Sequence, residues 1–174
     1  CGCGTSGDVQ VLQLPYAGHD LSMFLFLPAA AGGLPGLEAR LTEETLIKWT
    51  WAALTREVQV TLPRFAVTTP FDLTATLRAM GMVDAFDADD FAGMVGSDAL
   101  RIQAVLHKAS VAVNEEGTEA TAATASATAM RSALLSPTTF RADHPFLFLI
   151  RERSTRTILF LGRVTDPAHD ADSW

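Results

Sequence analysis

The stretch VQVLQLPYAGHDLSMFLFLP, residues 9–28, contains the clearest structural signal in this sequence. Residues 9–16 alternate apolar and polar side chains with the two-residue period of a β-strand. The turn-forming residues 17–20 follow, and residues 21–28 are almost entirely apolar. We therefore predict a β-hairpin whose second strand is buried on both faces of a sheet.

The composition around this hairpin is that of one globular domain. The chain has 174 residues, of which 48% are hydrophobic, and its mean hydropathy is +0.20. A chain of this length and composition can bury a core of its own. Its longest apolar runs, 21–28 and 145–150, are far shorter than the roughly 18 residues that a membrane span needs, so we predict no membrane span.

The charge of the chain argues against two classes of partner. Its net charge is −7 and its pI is about 4.9, and it has no stripe of Lys and Arg interleaved with aromatic residues. Nucleic acid and anionic lipid need clustered basic side chains against their phosphates, so neither is a predicted partner.

The two cysteines, Cys1 and Cys3, stand in the sequence CGCGTSGD. Such a pair could bind a metal or carry a lipid, but there is no histidine beside it. We predict that residues 1–8 form a flexible N-terminal tip.

The rest of the sequence predicts short helices between strands. Residues 37–54 indicate two short helices, the second with Thr42 as its N-cap, and Asp72 can cap a third helix that ends at Gly81. An acidic loop follows at residues 84–94. Predicted strands cover residues 56–71, 99–117, 139–152 and 156–167. A β-rich chain with three small helices belongs to the α+β class.

The acidic loop and the histidines are the candidate metal-binding groups. With Asp87 as the first ligand of a calcium loop, the glycine falls at position 93 instead of 92 and Asp98 replaces the usual glutamate, so we predict a solvated loop. No two histidines have metal-ligand spacing, and we predict neither a metal nor another cofactor. The four histidines are His19, His107, His144 and His169. We predict that His107 is a hydrogen-bonded core histidine inside a strand.

No motif in the sequence indicates an enzyme. There is no glycine-rich phosphate loop and no nucleophile elbow, and the spacing of Asp, His and Ser does not support a catalytic triad. Trp49 and Trp51 could form a ligand platform, but aromatic residues at the end of a short helix more often cover a hydrophobic core, which is our prediction for both.

Residues 115–140, EEGTEATAATASATAMRSALLSPTTF, have a composition typical of neither a helix, a strand nor a linker. With a two-residue period, both faces carry small side chains, and such a segment could enter a slot between existing strands without overpacking the core. The segment contains no proline before Pro137, so every backbone N–H of residues 115–136 can donate to a β-ladder. An Ala-rich surface linker is the alternative that composition leaves open. One face would carry Thr118, Ala120, Ala122, Thr124 and Ser126.

Four stretches, in order, resemble the serpin family. VQVLQLPYAGHDLSMFLFLP (9–28) looks like the paired strands of serpin sheet B, and LPRFAVTTPFDLTATLRAMGMVDAFDADDFAGM (62–94) is similar to the family's next strand, small helix and loop. VLHKASVAVNEEGTEATAATA (105–125) resembles the fifth strand of sheet A running into the reactive-loop hinge. FRADHPFLFLIRERSTRTILFLGRVTDP (140–167) looks like the family signature and its closing strands. The resemblance implies a serpin-like α+β fold with mixed and antiparallel sheets.

The serpin resemblance implies a suicide inhibitor of serine proteases. The protease attacks an exposed loop, and the freed loop inserts as a new strand into sheet A before water can release the acyl-enzyme. The reactive loop would cover about residues 117–139. Its hinge and inserting residues would be Glu115, Glu116, Gly117, Thr118, Ala120, Ala122, Ala123 and Thr124. His107 matches a histidine that serpins use for hydrogen bonding where sheet A parts.

The same resemblance implies a reactive bond between Arg131 and Ser132, counted from Gly117. Arginine before the bond suits trypsin-like proteases, whose pocket holds a buried carboxylate. A register shifted by one residue would make Met130 the recognised residue and a chymotrypsin- or elastase-like protease the target.

The extent of the resemblance predicts the domain organisation and leaves a rival function. Residues 9–167 would be the C-terminal portion of a serpin domain and residues 168–174 a tail. The N-terminal half of the fold, which supplies one wall of the loop's slot, is missing and would be a partner of this chain. The alternatives to an inhibitor are a truncated or non-inhibitory serpin acting as a binding module, or a plain protease substrate. The family resemblance also predicts an extracellular or periplasmic location.

Overall fold

A computed structural model of the chain describes residues 1–87, 101–114 and 138–167. Two compact units are present. The larger unit comprises Cys1–Ala66 and Ala112–Trp174, and the smaller unit comprises Val67–Val111. The predicted α+β class is confirmed, because strands predominate among the described residues and the helices are short.

The larger unit contains a six-stranded antiparallel sheet. In chain order its strands are β1 (Gly2–Ser6), β2 (Val9–Pro15), β3 (Leu21–Pro28), β4 (Leu54–Thr55), β9 (Phe146–Glu152) and β10 (Ile158–Val164). The spatial order is β10-β9-β3-β2-β1-β4, so β3 lies in the middle. Two helices, α1 (Leu34–Ala39) and α2 (Glu43–Ala52), connect β3 to β4.

The described residues also form two two-stranded sheets. In the larger unit β5 (Val58–Thr61) pairs with β8 (Thr138–Arg141). The other pair joins β6 (Phe65–Asp72) to β7 (Leu106–Val113). The smaller unit also contains the short helices α3 (Thr74–Ala79) and α4 (Asp84–Asp87).

The predicted hairpin at residues 9–28 is confirmed as β2 and β3. The strands pair antiparallel from Val9↔Pro28 to Pro15↔Ser22, and the turn between them has positive φ at Gly18 (85°) and at the adjacent histidine. All residues of β3 after Leu21 are buried. The apolar run therefore forms a strand with neighbours on both edges and cover on both faces.

Aromatic rings cover both faces of the sheet near β3. On one face Phe26 packs against Trp49 of α2, with ring centroids 5.5 Å apart. On the other face Phe148 of β9 packs against Phe65, with centroids 5.5 Å apart. The prediction that Trp49 covers the core is confirmed, but the same prediction for Trp51 is wrong, because its side chain is 70% exposed. Two residues further along a helix, a side chain points away from the face that carries the first.

The N-cap predicted for α2 is confirmed. The Thr42 hydroxyl accepts a hydrogen bond from the Thr45 backbone N–H at 3.2 Å, and the Thr45 hydroxyl accepts one from the Thr42 N–H at 2.9 Å. This reciprocal capping box satisfies two helix-terminal donors. At the far end of the smaller unit's α3, Gly81 has φ of 100°, as a helix stop requires.

The flexible tip predicted for residues 1–8 is wrong. Residues Gly2–Ser6 form β1, which pairs with β2 along five residues and with β4 along two. Cys3 is fully buried between them. The Gly-rich composition that indicated fraying instead serves close packing, because α2 lies directly against β1.

Three predicted strands differ in extent from the structure. The segments predicted as single strands at 56–71 and 139–152 are each two strands, because each carries a break between strands of different sheets. Within the described residues, the strand predicted at 99–117 is limited to β7. The acidic loop predicted at 84–94 begins as helix α4, and its remaining residues lie outside the described ranges.

The close approach of α2 to β1 gives a test of this packing. A Cβ added at Gly4 would collide with the backbone carbonyl oxygen of Ala52, which cannot move without displacing the end of α2. We expect Gly4→Ala to lower the free energy of unfolding by about 1–3 kcal/mol, because overpacking forces the backbone to shift. Urea denaturation followed by circular dichroism measures the change.

Gly36→Ala is the matched control for this substitution. Gly36 lies in α1, and an added Cβ there meets no atom within 4 Å. Alanine favours helix by up to about 1 kcal/mol over glycine, so this variant should be as stable as the parent or more stable. Equal destabilisation of both variants would contradict the described packing of α2 on β1.

Candidate functional site

The residues predicted to form the reactive loop lie between β7 and β8 in the chain. Residues 115–137 are outside the described ranges, and this holds for the reactive-bond pair Arg131 and Ser132. It also holds for the predicted hinge and inserting residues Glu115, Glu116, Gly117, Thr118, Ala120, Ala122, Ala123 and Thr124. Their roles stay predictions, and the described site consists of the strands that flank them.

The histidine predicted before the loop has a different environment from the one expected. His107 lies on β7, as predicted, but its side chain is exposed. It packs on the ring of Phe71 in β6, with ring centroids 6.2 Å apart and planes 27° apart. The prediction that His107 lies in a core is therefore wrong for the described residues, and its hydrogen-bonding role in sheet A stays a prediction. Among the described residues β7 has only β6 as a neighbour, so no second strand covers this side chain.

The strand after the loop, β8, is held at several points in the larger unit. Its four residues pair in parallel with β5, from Val58↔Thr138 to Thr61↔Arg141. Phe140 is fully buried, and the N–H of the following Ala142 donates a 2.9 Å hydrogen bond to Thr61 O. Thr138 and Thr139, which the prediction of about 117–139 places in the loop, belong to this strand, and the extent of the loop stays a prediction.

A glutamine of the large sheet contacts β8 from the side. The Gln10 side-chain Nε2 donates a 2.8 Å hydrogen bond to the backbone oxygen of Thr139. Gln10 lies on β2 between Thr5 of β1 and Leu27 of β3. Its backbone is therefore fixed by neighbours on both edges, and its side chain crosses to the smaller sheet.

A chain of polar contacts joins the end of β8 to the end of β3. Arg141 Nε donates to Asp143 Oδ2 at 3.0 Å, and Asp143 Oδ1 lies 2.8 Å from His144 Nδ1. His144 Nε2 lies 2.7 Å from the backbone oxygen of Pro28. Both ring nitrogens of His144 thus lie within hydrogen-bond distance of an oxygen acceptor.

The charges in this chain of contacts favour the ionised form of Asp143. The hydrogen bond from His144 is the largest cause and lowers the pKa of Asp143; desolvation, the next largest, raises it, and the hydrogen bond from Arg141 lowers it again. Opposite charges and donors at hydrogen-bond distance stabilise a carboxylate in this way.

A cavity of about 300 Å³ borders these contacts. Asp8, Gln10, Arg141 and His144 are among the residues that line it. Each already has a partner in the protein, because Asp8 forms a bidentate ion pair with Arg40 and the other three make the contacts described above. The polar groups of the cavity are therefore committed to structure, which gives a ligand little to bind.

The described parts of the chain give little support for metal binding, for a reactive thiol or for a membrane-spanning helix. They contain no group of three or more His, Cys, Asp or Glu side chains that could hold a metal ion. Asp87, the first residue of the calcium-like loop, forms a bidentate ion pair with Arg78. Burial raises the pKa of the Cys3 thiol despite the charge of Arg56, so this thiol is a poor nucleophile. No helix within the described ranges is long and apolar enough to cross a membrane.

Sequence reasoning missed the residues that hold β8. Gln10 and Gln13 lie three residues apart on β2 and therefore on opposite faces, but the pattern does not show which face meets β8. The sequence offers His144 only as a candidate metal ligand. The signal that could have found it is its place in the run FRADHPF, where three ionisable residues separate two strands of buried aromatic residues.

Comparisons with known proteins agree with the predicted resemblance. Residues 4–167 match the family model described as "Serpin (serine protease inhibitor)". Human Serpin B3 is 50% identical over 165 residues, which cover 92% of this chain and 42% of that protein. The chain thus spans about two-fifths of the length of the curated relatives that it matches.

Two solved structures extend the similarity to the fold. Uncleaved ovalbumin superposes with a TM-score of 0.73 at 32% identity, covering 93% of this chain and 41% of ovalbumin. Human thyroxine-binding globulin, solved in complex with thyroxine, superposes with a TM-score of 0.69 at 33% identity and covers 92% and 41%.

The environment of Asp143 predicts a specific response to acid. Because its pKa is lowered in the folded chain, the ionised carboxylate stabilises the fold above its ordinary pKa, and this contribution is lost as the pH falls through the folded value. We expect Asp143→Asn to be less stable than the parent near neutral pH. The two should converge in acid, and urea midpoints between about pH 7 and pH 2 measure this.

Glu57→Gln is the control for the acid series. Glu57 is an exposed carboxylate that forms no ion pair within the described ranges. Its removal should leave the pH dependence of the parent almost unchanged. If Asp143→Asn follows the parent curve at every pH, the Asp143–His144 contact contributes nothing to stability.

Proposed function

The chain belongs to the serpin family, and on that premise we propose that it carries the reactive loop of an inhibitor of serine proteases. The observation that carries the proposal is the sequence of residues 115–137, which is rich in Ala, Thr and Ser and stands between β7 and β8. Small side chains at alternate positions allow a segment to become an inserted strand without overpacking the sheet that receives it.

The proposed reaction begins as ordinary proteolysis. The serine oxygen of the protease attacks the carbonyl carbon of Arg131, and the peptide bond to Ser132 breaks. Arg131 is then held as an ester on the protease, while Ser132 becomes a new amino terminus. Hydrolysis of that ester by water would regenerate the protease, so inhibition requires the loop to insert first.

The side chains of the hinge decide how fast insertion proceeds. Thr118 is the first inward-facing position, followed by Ala120, Ala122 and Thr124. Each is small and uncharged, so its burial leaves no charge unpaired. Thr121 and Glu119 fall on the opposite face, where a larger or charged side chain costs less.

The proposed inhibitor also needs sequence beyond this chain. On β10 four consecutive side chains are apolar and between 36% and 48% exposed. They are Ile158, Leu159, Phe160 and Leu161. An exposed apolar run of this kind indicates a surface that another part of a longer serpin would bury. We propose the N-terminal portion of a serpin fold as the partner that provides it, and the slot for the loop with it.

A non-inhibitory binding module is the second candidate function. Thyroxine-binding globulin, which superposes on this chain, was solved with thyroxine bound. The inhibitor is favoured here because the hinge of this chain has no proline and no bulky or charged residue at its inward positions. Those features keep insertion favourable, and a protein that never inserts its loop has no need of them.

The identity of the reactive bond can be tested in a chimera in which the N-terminal portion of human Serpin B3 precedes this chain. We expect trypsin to form a covalent complex that survives denaturing electrophoresis, and to release a C-terminal peptide that begins at Ser132. Arg131→Ala should lower the association rate with trypsin by roughly 100-fold or more, because the carboxylate of the trypsin pocket loses its partner.

Met130→Ala is the control for recognition. It changes the adjacent residue, and under the proposed register it leaves the association rate with trypsin within about twofold of the parent. If the register is shifted by one residue, chymotrypsin instead of trypsin forms the complex with the chimera, and Met130→Ala abolishes that complex. Cleavage into two fragments by both proteases, without a complex with either, would contradict the inhibitory function itself.

The hinge can be tested separately from recognition. In the same chimera, Thr118→Arg should turn the inhibitor into a substrate, because an unpaired guanidinium buried in the sheet costs several kcal/mol and slows insertion. Thr121→Arg places the same charge on the outward face and should still trap protease. The number of inhibitor molecules consumed per protease molecule is the measurement. Equal values for both variants would contradict insertion as the mechanism.

A further inference from the structure

We propose that Gln10 and His144 are positioning residues that hold β8 in place and thereby fix the C-terminal end of the reactive loop. The inference rests on the proposed function only in taking residues 115–137 as that loop. The hold itself is a property of the described residues.

The strand β8 needs stabilising hydrogen bonds from outside its own two-stranded sheet. It has four residues, of which only Phe140 is fully buried, and Thr139 and Arg141 are exposed. Its neighbour in the described residues is β5, whose residues alternate between partly buried and exposed. A short strand with one neighbour and little buried area opens readily.

Gln10 holds the middle of β8. Its amide Nε2 donates to Thr139 O at 2.8 Å, and this is a long-range bond from the large sheet to the small one. Thr139 lies two residues after residue 137, where the proposed loop ends. Because Gln10 lies on a strand with paired neighbours on both edges, its position is fixed independently of residues 115–137.

His144 holds the C-terminal end of β8. It links Asp143, and through it Arg141, to the backbone oxygen of Pro28. Its side chain is only 18% exposed, and its contact with the Pro28 oxygen is partly buried, whereas Asp143 is 54% exposed. The charged groups around it are Asp143 and Arg141 on its own segment, and Asp8 with its partner Arg40 across the cavity.

The contacts made by Gln10 and His144 both involve one corner of the large sheet. Gln10 is paired with Leu27, and the neighbouring Val9 is paired with Pro28. The residue that holds Thr139 and the carbonyl that receives His144 are therefore adjacent in register. Movement of that corner would loosen both contacts with β8 together.

The proposed position of the reactive bond determines which steps these residues affect. Until the bond after Arg131 is broken, the loop is continuous with β8, and the hold on β8 sets where the loop is presented. After cleavage the inserting segment and β8 are no longer joined through the loop. Loss of these hydrogen bonds should therefore slow association with the protease. It should leave the ratio of the insertion rate to the rate of ester hydrolysis unchanged.

Amide hydrogen exchange on the 174-residue chain tests the hold directly. Gln10→Glu keeps the shape of the side chain but removes its donor, and His144→Asn keeps a donor for Asp143 but does not reach Pro28 O. We expect the amides of residues 139–141 to exchange about fivefold faster in each variant, the effect of losing one net hydrogen bond. Unchanged exchange in both variants would overturn the proposal.

Two further variants separate a specific hold from general damage. Gln13→Glu makes the same change three residues along β2, where the amide bonds Ser22 Oγ within the sheet, and it should leave exchange of β8 unchanged. His144→Arg supplies several donors for Asp143 and Pro28 O and should restore slow exchange relative to His144→Asn. Faster exchange in Gln13→Glu as well would overturn the assignment to Gln10.

The inhibitory chimera tests the positioning role. Gln10→Glu and His144→Asn should lower the association rate with trypsin about fivefold and leave the number of inhibitors consumed per protease unchanged, while His144→Arg restores the rate. A changed stoichiometry with an unchanged rate would overturn the positioning role. A parent chimera that forms no complex would contradict the proposed function, whereas the exchange experiment would still decide whether Gln10 and His144 hold β8.

Discussion

Burial of β3 on both faces is the constraint on which the larger unit depends. Phe26 meets Trp49 on one face, and on the other face the core extends through Phe148 to Phe65. A strand with so little polar surface is stable only with neighbours on both edges, and β2 and β9 supply them. The helices α1 and α2 are placed by the same requirement, since their buried side chains cover the face that carries Phe26.

The sheet built around β3 provides fixed positions for the contacts that reach β8 and the residues after it. Gln10 and the Pro28 carbonyl that faces His144 are both set by the register of β2 against β3. Under the proposed function, the reactive loop needs one held terminus and one free terminus. We propose that Gln10 and His144 hold the first, and that the small residues after Gly117 suit the second.

The sequence was informative wherever the structure depends on neighbouring residues. The hairpin at 9–28 and the Thr42 cap follow from periodicity and local hydrogen bonding, and both are confirmed. Predictions failed where distant chain segments decide. The Gly-rich start became β1 because α2 packs against it, and His107 is exposed because only β6 flanks its strand among the described residues. The contact between Gln10 and Thr139 joins distant residues, which no local pattern records.

The order of strands in the large sheet has a consequence for biosynthesis. Strand β3 leaves the ribosome before β9, its neighbour on one edge, because β9 begins only at Phe146 in the chain. Until then the most apolar strand of the chain has an open edge, which is a template for pairing with other chains. Non-local pairing of this kind folds slowly. Cover of one face by α1 and α2 leaves this edge open, so β3 stays available for wrong pairing until β9 joins it.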